Sequence, residues 1–598
     1  MERVADYIIR RLTDMNIKHV FMITGRGILF LTDAVAKNKD IEGICTYHEQ
    51  GASYAAMAYA AASDGMSACL VSTGCAATNA VTAALCAWQD NLPCVFISGQ
   101  HMLNETTRYT GVPIRTFGSQ EADIIEIVKP ITKYSVMITD PYEVALEMDK
   151  AFLLANTGRK GPVWIDIPLD IQNARIESDT LIRYKGENQF RNSIASKDIN
   201  KITHDLQEAK RPVIFIGGGV RSAGAVSEIK QFIEKHQIPL VFSTAAADTY
   251  GSGNYYSIGA VGSLGGSRAG NFTVQNADYI LAIGTKLCSQ SIGADSEQFA
   301  REAKITVIDI DKYEHTKVGA KIDQVIIADA KDFLERLNAS EIHIECKVWL
   351  NKCLEWKNMF SINNENFIHE LTGNDQIDLY YFADKLSDML SADTTVITDA
   401  GLEELIIPSA VRFRHEQRCL FPAAQGAMGY AIPAIIGAYY AGKNSIVTVV
   451  GDGSIMMNMQ ELQIIGSYKI PAKIFVINNN MYAVIRKRQK DLFRTRTIGN
   501  DPSDGVPAPD FKKIASCFDI SYRNIDKVED LDTELTEVLQ QSGPCICEIR
   551  CKEDQKYLHM SFIINEKHKL VKRPLEDLSP FLDRELIKSE MIIEPAEE

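Results

Sequence analysis

The sequence predicts an α/β protein made of three doubly wound, parallel-sheet domains. Short β-branched segments recur along the chain and alternate with amphipathic or Ala-rich segments of helical periodicity, which is the pattern of repeated βαβ units. The chain has 598 residues, which is too long for a single hydrophobic core. Its 46% hydrophobic and 24% charged residues are ordinary for a globular protein.

Composition and charge narrow the classes of partner. The formal net charge of −15 disfavours nucleic acid and anionic membranes, because both would repel the protein. Residues 1–12 alternate apolar and charged side chains and do not resemble a signal peptide, and no apolar run is long enough to span a bilayer. The thirteen cysteines are an odd number and lie mostly in apolar segments, as expected of reduced thiols. We therefore expect a cytoplasmic protein.

The first block, residues 1–175, has strand candidates at 20–23, 44–47, 69–72 and 94–97. Two polar motifs stand where such strands end. His48-Glu49-Gln50 opens a helix predicted over 53–62, and Ser72-Thr73-Gly74 opens a helix predicted over 78–88. From its position alone, Glu49 is a carboxylate that complements the dipole at the start of a helix.

A second α/β block covers about 200–340. Gly217-Gly218-Gly219 follows a strand there, and this pattern suits either a dinucleotide site or a simple tight turn. Residues 176–199 and 341–375 are predicted connectors, the latter including a helix with Trp349 and Trp356. The tail, 561–598, contains RPLEDLSPFLDREL, which we interpret as a docking segment.

The third block, residues 376–560, contains Gly451-Asp452-Gly453-Ser454 between a predicted strand at 445–450 and a helical segment. A second predicted strand, 473–477, leads to Asn478-Asn479-Asn480. Glycines let the backbone approach a phosphate, and a helix start favours negative charge. Asp452 and Asn479 leave neighbouring strands, so their oxygens suit Mg²⁺. Taken alone, Gly-Asp-Gly is also an ordinary turn.

Together, GDGS, the helical segment and NNN resemble the diphosphate and magnesium motif of thiamine diphosphate (ThDP) enzymes. HEQGA, STGCAATNA, SGQ and FGSQEAD resemble the pyrimidine-binding domain of the acetolactate synthase branch of that family. The resemblance implies a pyrimidine-binding domain at 1–175, a central domain at 200–340 and a diphosphate-binding domain at 376–560. It also implies an assembly, a homodimer or homotetramer, in which Glu49 of one chain meets the Gly-Asp-Gly motif of its neighbour.

The resemblance also implies roles for individual residues. Glu49 would hydrogen-bond N1′ of the aminopyrimidine, and Gln120 would lie near the reacting centre. Asp452, Asn479 and the carbonyl of Met481 would bind Mg²⁺. Further ThDP contacts would come from Thr73, Asn79, Gly401, Gln425, Met428, Gly451, Gly453, Ser454 and Met481. Asn79 and Gln120 are alternatively structural hydrogen-bonding residues. FAD is doubtful, because Lys286-Leu287-Cys288-Ser289-Gln290 replaces the flavin-contacting run of related synthases.

The expected reaction is decarboxylation of a 2-oxo acid, with pyruvate as the expected donor, followed by carboligation to a carbonyl acceptor. Lys487-Arg488-Gln489 stands where the family has an acceptor-packing tryptophan, so Arg488 suggests a polar acceptor such as a nucleotide-linked keto-deoxysugar. YAVIRKRQKDLF and PLEDLSPFL resemble a subgroup acting in surface-polysaccharide pathways. Arg488 is alternatively a solvated cation. The other functional hypotheses are a true acetolactate synthase, a simple 2-oxo acid decarboxylase and a non-catalytic regulatory homologue.

Overall fold

A computed structural model describes residues 1–186, 194–317, 319–365, 376–414, 416–564 and 568–596. The connectors expected at 176–199 and 341–375 and the tail at 561–598 lie partly outside these residues. The described chain contains three six-stranded sheets in which all paired strands are parallel. This confirms the predicted α/β fold class.

The first sheet belongs to the N-terminal part of the chain. Its strands lie in the spatial order Glu42–Cys45, His19–Met22, Ser67–Val71, Cys94–Gln100, Val163–Pro168 and Tyr134–Met137. Its main helices are Val4–Asp14, Leu29–Lys37, Glu49–Ser63, Cys75–Asn79, Val81–Gln89, Ile124–Val128, Val144–Asn156 and Leu169–Asn173. The four predicted strands each begin within two residues of their expected start. The helix predicted over 53–62 begins earlier, at Glu49, because the His48 side chain accepts the Gln50 N–H and caps it.

The central sheet reverses its winding direction in its middle. Its strands lie in the order Ser257–Ala260, Leu240–Phe242, Pro212–Ile216, Tyr279–Ile283, Lys304–Asp309 and Gln324–Ile327. Its main helices are Ser196–Glu208, Val226–His236, Arg268–Gln275 and Ala330–Ala339. The chain winds outward in one direction from Pro212–Ile216 and returns to wind in the other from Tyr279–Ile283. This point of reversal is where ligands bind in open α/β sheets.

The third sheet repeats the winding of the first. Its strands lie in the order Arg418–Leu420, Thr395–Ile397, Ile446–Gly451, Ala472–Asn478, Cys545–Arg550 and Ser521–Ile525. Its main helices are Leu379–Met389, Leu402–Ala410, Ala431–Tyr440, Leu462–Ser467, Ala483–Phe493, Phe511–Cys517 and Leu531–Gln540. The prediction of one continuous helix directly after GDGS was wrong. Residues Ile455–Glu461 form 3₁₀ turns interrupted at Asn458, and the α-helix starts only at Leu462.

Two buried helices join the first and third domains. Glu49–Ser63 packs against Ala431–Tyr440, and both helices are buried along most of their length. The backbones approach so closely that a Cβ on Gly437 would lie 2.0 Å from the carbonyl oxygen of Ala55. Only a glycine permits this approach, so the contact fixes the distance between the two domains.

A buried charge cluster joins all three domains. Arg418 at the edge of the third sheet pairs with Asp248 of the central domain at 2.8 Å and with Asp64 of the first domain at 3.3 Å. Arg418 and Asp248 are both buried. Removing one member of such a buried pair leaves the charge of the other buried and uncompensated, which is strongly destabilising. The cluster therefore favours one arrangement of the three domains.

The C-terminal tail lies on the central domain. Glu576 accepts a hydrogen bond from Gln275 at 2.6 Å and pairs with Arg301 at 2.8 Å, and Arg268 donates to the carbonyl of Pro580. The predicted connector helix is present as Lys347–Met359, and its Trp356 donates to Glu590 of the tail at 2.8 Å. The RPLEDLSPFLDREL segment therefore docks on the central domain, as interpreted from the sequence.

We expect Gly437→Val to lower the free energy of unfolding by about 1–3 kcal/mol, because the new side chain would push apart two closely packed helices. Thermal unfolding measures the loss. Gly218→Ala is the matched control, since its Cβ would lie 3.7 Å from the carbonyl oxygen of Ala245, an ordinary contact distance, and its backbone is already helical. Equal unfolding temperatures for Gly437→Val and wild type would contradict the close contact.

Candidate active site

The carboxyl edge of the third sheet brings Asp452 and Asn479 to neighbouring strand ends. Asp452 follows the strand Ile446–Gly451, and Asn479 follows the adjacent strand Ala472–Asn478. A carboxylate oxygen of Asp452 accepts the N–H of Asn480 at 2.7 Å, so the carboxylate lies against the asparagine loop. The side-chain oxygen of Asn479 accepts the N–H of Met481 at 3.2 Å.

The Asp452 carboxyl is buried and forms no direct ion pair. It is 5% exposed, and no ion pair involves it within the described ranges. Burial raises its pKa to about 6, opposed by hydrogen bonds from backbone N–H groups of Asn480, Gly453 and Met481 and by the charge of Arg550. A buried carboxylate that has no ion-pair partner but keeps backbone donors is suited to bind a metal ion.

The loops around Asp452 leave no space for side chains. A Cβ on Gly453 would lie 1.8 Å from the ring of Tyr482, and Gly401 has a φ of 84°, which favours glycine. Ser454 donates to Asp399 at 2.5 Å and accepts the N–H of Gly429 at 2.9 Å. The Ser454 hydroxyl therefore ties two loops together, while the glycines leave backbone exposed to a ligand.

The predicted pyrimidine half-site lies at the carboxyl edge of the first sheet. Glu49 accepts a hydrogen bond from the side-chain amide of Asn79 at 2.9 Å. The Thr73 hydroxyl is buried and has no hydrogen-bond partner among the described residues. Gly74 has a φ of 64°, and its Cβ would lie 2.1 Å from the carbonyl oxygen of Gln120. The side chain of Gln120 is exposed.

One buried carboxyl connects the two halves within the chain. Glu461, at the end of the turn after GDGS, accepts N–H bonds from Tyr47 at 3.2 Å and His48 at 3.1 Å. Burial raises the Glu461 pKa to about 7. In the described residues, however, no hydrogen bond joins Glu49 to any residue of the motif 452–454. Within the described residues, the two predicted half-sites are therefore joined through Glu461 and not through Glu49.

The remaining predicted residues lie around this edge. Gln425 is exposed and donates to the side chain of Gln89 at 2.7 Å, and Met428 is half-buried. Met481 is buried and lines a cavity of about 410 Å³ between the helix Ala483–Phe493 and the C-terminal segment. Arg488 is exposed and does not line that cavity.

The lining of this cavity is strongly charged. Its residues are Leu402, Met481, Ala483, Arg486, Lys487, Lys490, Asp491, Glu553, Asp554, Gln555, Lys556, Tyr557, His559, Ser579 and Pro580. The tail that docks on the central domain thus also forms a wall beside the motif.

A larger cavity, of about 1060 Å³, lies at the point of reversal of the central sheet. Its lining includes residues 217–219, for which the sequence left either a dinucleotide site or a simple tight turn open. It also includes residues 284–286, which follow the neighbouring strand. Cys288 and Gln290 of the run that replaces the flavin-contacting residues line it as well.

Some residues at the site were missed from the sequence. Glu403 lies over two of the glycine turns, Tyr482 packs on Gly453, and Glu461 joins the half-sites. The pair Glu403-Glu404, which follows Gly401 after a single leucine, was a usable signal, since two acidic residues at a loop predicted to hold an anion are unexpected. No motif in the neighbouring sequence indicated the contacts of Tyr482 and Glu461.

Matches to three family models cover most of the chain. Residues 2–126 match the "Thiamine pyrophosphate enzyme, N-terminal TPP binding domain", residues 199–337 the central domain and residues 399–549 the C-terminal TPP binding domain. Acetolactate synthase of Arthrospira platensis is 30% identical over 555 residues, which cover 90% of this chain and 92% of the relative. The chain belongs to the acetolactate synthase family of ThDP enzymes.

Other members of the family align over similar lengths. The acetolactate synthase large subunit of Lactococcus lactis is 27% identical, covering 93% of this chain and 94% of the relative. The isozyme 1 large subunit of Escherichia coli is 29% identical, covering 93% and 95%. The chain is thus an acetolactate synthase-like enzyme with ThDP-binding domains at both ends, as the sequence motifs indicated. No helix in the described part of the chain combines the length and apolar character needed to cross a bilayer.

Proposed function

We propose that this enzyme decarboxylates a 2-oxo acid, with pyruvate as the expected donor, and joins the two-carbon unit to a carbonyl acceptor. The observation that carries the proposal is that one chain has Glu49 at the edge of its first sheet and the oxygen pair Asp452 and Asn479 at the equivalent edge of its third. A regulatory homologue without chemistry has no need of all three. When bound, ThDP supplies the electron sink for decarboxylation.

The residues present fit ThDP and Mg²⁺. Asp452, Asn479 and the Met481 carbonyl offer only oxygen ligands, which Mg²⁺ prefers. Gly401, Gly451, Gly453 and Ser454 form a cradle in which backbone can approach a diphosphate.

On the other half-site, Glu49 would hold a proton at the pyrimidine N1′, and the unpartnered Thr73 hydroxyl would gain a partner from the cofactor. Asn79 positions Glu49 through their hydrogen bond. Gln425 and Met428 would complete the cofactor contacts, with Gln120 near the reacting centre.

We expect Glu49→Gln to bind ThDP and to lose turnover by ~10⁴-fold or more, because an amide fills the same space but cannot exchange the proton. ThDP binding is followed by calorimetry and the cofactor's C2 proton exchange by NMR. Glu42→Gln, an exposed carboxyl of the same domain, is the control. Wild-type exchange in Glu49→Gln would remove this role.

We further propose that the complete site forms between two chains of a homodimer or homotetramer. The half-sites of one chain are not joined by a direct hydrogen bond between Glu49 and the motif. Large apolar side chains beside them are exposed, including Tyr47 at 62% and Met457 at 50%. Such side chains at a functional edge are typical of surfaces covered by another chain.

Mixing two inactive variants tests the shared site. Glu49→Gln and Asp452→Ala should each be inactive, and Asp452→Ala should also lose Mg²⁺-dependent ThDP binding. If Glu49 of one chain works with Asp452 of the other, a mixed dimer contains one intact site, so co-refolded variants should regain a substantial fraction of activity. No recovery in a species shown by light scattering and mass spectrometry to be mixed would place both residues in one chain's site.

The cavity beside Met481 supports a polar acceptor. Arg486, Lys487 and Lys490 line it from one helix, and Lys556 lines it from the C-terminal segment. Lys487 pairs with Asp491, whereas the ammonium group of Lys490 has no hydrogen bond or ion pair within the described ranges. A free cation suits a phosphate or carboxylate group, as in a nucleotide-linked keto-deoxysugar of a surface-polysaccharide pathway.

The second candidate is a true acetolactate synthase, in which pyruvate is also the acceptor. The names of the aligned relatives favour it. Assays of CO₂ release from pyruvate, with and without an added acceptor and with the organic product identified by mass, separate both candidates from a simple decarboxylase, which forms acetaldehyde, and from a non-catalytic homologue, which releases no CO₂.

If Arg488 contacts the acceptor, Arg488→Trp should weaken use of the sugar acceptor by ~1–3 kcal/mol, the scale of one charged hydrogen bond, and leave CO₂ release from pyruvate nearly intact. Competition between pyruvate and a nucleotide-linked keto-deoxysugar, scored by product mass, is the measurement. Lys490→Gln is the matched variant, because Lys490 lines the cavity and Arg488 does not.

A change of product ratio in Lys490→Gln alone would move the acceptor contact from Arg488 to Lys490. An unchanged ratio in both variants would discard the cationic contact, and exclusive acetolactate formation by the wild type would establish the second candidate.

A further inference from the structure

Arg26 lies in a loop at the carboxyl edge of the first sheet, where the pyrimidine half-site is proposed. The loop follows the strand His19–Met22 and leads through the turn Arg26–Ile28 into a helix. The neighbouring strand Ser67–Val71 is parallel to it and leads to Thr73, so the two loops lie at the same edge. The Arg26 side chain is exposed there.

Two glycines hold the backbone on either side of Arg26 against the half-site. A Cβ on Gly25 would lie 2.4 Å from the hydroxyl oxygen of Ser72, and a Cβ on Gly27 would lie 1.8 Å from the hydroxyl oxygen of Thr73. The Gly27 N–H also donates to the Ser72 hydroxyl at 3.2 Å. Arg26 is therefore the one long side chain on a stretch of backbone that packs directly on the predicted cofactor contact Thr73.

The same loop is fixed from the interior of the domain. The side-chain amide of the buried Gln172 donates to the carbonyl oxygens of Gly27 at 2.6 Å and Ile167 at 2.8 Å. A Cβ on Gly99 would lie 1.9 Å from that Gly27 carbonyl oxygen. Because its backbone is held on both sides, Arg26 presents its charge from a rigid position.

No carboxylate accounts for this cation. Five other arginines of the first domain form ion pairs, namely Arg3, Arg10, Arg11, Arg108 and Arg159. Arg26 has no side-chain hydrogen bond, ion pair or cation–π contact among the described residues. Its turn and the first turn of the helix that follows contain no acidic residue, and the start of a helix disfavours a cation. The fold gains nothing from this charge, which leaves it available for an anionic ligand.

The proposed reaction brings two kinds of anionic group to this edge. The donor's carboxylate leaves as neutral CO₂ while its electron pair passes to the cofactor, so a cation paired with it would stabilise the ground state and raise the barrier. An anionic group on the acceptor stays intact in the product. A guanidinium can hold such a carboxylate or phosphate with paired hydrogen bonds throughout the carboligation.

We propose that Arg26 recognises the anionic group of the carbonyl acceptor, a carboxylate or a phosphate, and so selects charged acceptors over neutral ones. This inference rests on the proposed function, since it requires carboligation at this edge. It assigns an acceptor contact to the first domain, whereas the cavity lined by Lys490 belongs to the third, and the proposed assembly brings these half-sites together. The competing role of Arg26 is an ion pair with a second chain that only stabilises the assembly.

Competition between charged and neutral acceptors tests the proposal. Arg26→Gln removes the charge, Arg26→Lys keeps the charge without the paired donors, and Arg175→Gln removes an exposed arginine elsewhere in the same domain. With pyruvate as donor, each charged acceptor, pyruvate or a nucleotide-linked keto-deoxysugar, competes with the neutral aldehyde propanal, and the products are scored by mass. The ratio of charged to neutral product should fall by ~10–100-fold in Arg26→Gln, the scale of hydrogen bonds to a charged group. It should recover in part in Arg26→Lys and keep its wild-type value in Arg175→Gln.

The pattern of losses identifies the anion. A lower ratio with pyruvate alone assigns a carboxylate to Arg26, and a lower ratio with the sugar alone assigns a phosphate. An unchanged ratio in Arg26→Gln would overturn the proposal, and so would dissociation of this variant, measured by light scattering, since that would make Arg26 an interface residue. A wild type that releases no CO₂ from pyruvate, or that uses neither charged acceptor, would remove the proposed function and this inference with it. That result is distinct from an unchanged ratio in an active Arg26→Gln.

Discussion

The hydrogen bond from the Asn480 N–H to Asp452 depends on two parallel strands that end side by side. Parallel strands are covered by helices on both faces, so their carboxyl ends form the accessible edge at which loops can present polar groups. The pairing of Gly451 with Ile477 in the ladder brings the two loops to the same level. Three features keep this edge open and rigid. They are the glycines, Tyr482 packed on Gly453, and Ser454, which joins neighbouring loops by hydrogen bonds.

The electrostatics of that edge favour the proposed divalent cation. Asp399, Glu403 and Asp452 lie close enough to influence one another, and no cationic side chain pairs with any of them in the described part of the chain. Adding a diphosphate to these groups would be unfavourable without a divalent cation. Burial raises the pKa of each of the three carboxyls, so protons reduce the repulsion in the absence of metal. The cofactor and its metal would thus enter as a pair.

The sequence predicted what is local and not what depends on contacts between distant loops. Asp452 and Asn479 could be placed because each directly follows a strand that its apolar run identifies, and because neighbouring strands in a βαβ unit end together. Glu403 could not be placed over Gly451, since that contact crosses about fifty residues of chain. The sequence suggested Arg488 as an acceptor contact because of its aligned position. In the structure Arg488 is exposed on its helix, and the neighbouring Lys487 and Lys490 line the cavity.

The same limit applies to the relation between the two ends of the chain. The first and third sheets have the same winding, so each has an equivalent edge with a glycine-containing loop, and the motifs at these edges predicted the same family independently. Helix packing through Gly437 and the bonds of Glu461 then fix how far apart the two edges lie within one chain. That distance is a property of tertiary packing and cannot be read from either motif. In the proposed dimer, a cofactor spanning a pyrimidine and a diphosphate would draw one half-site from each of two copies of the chain.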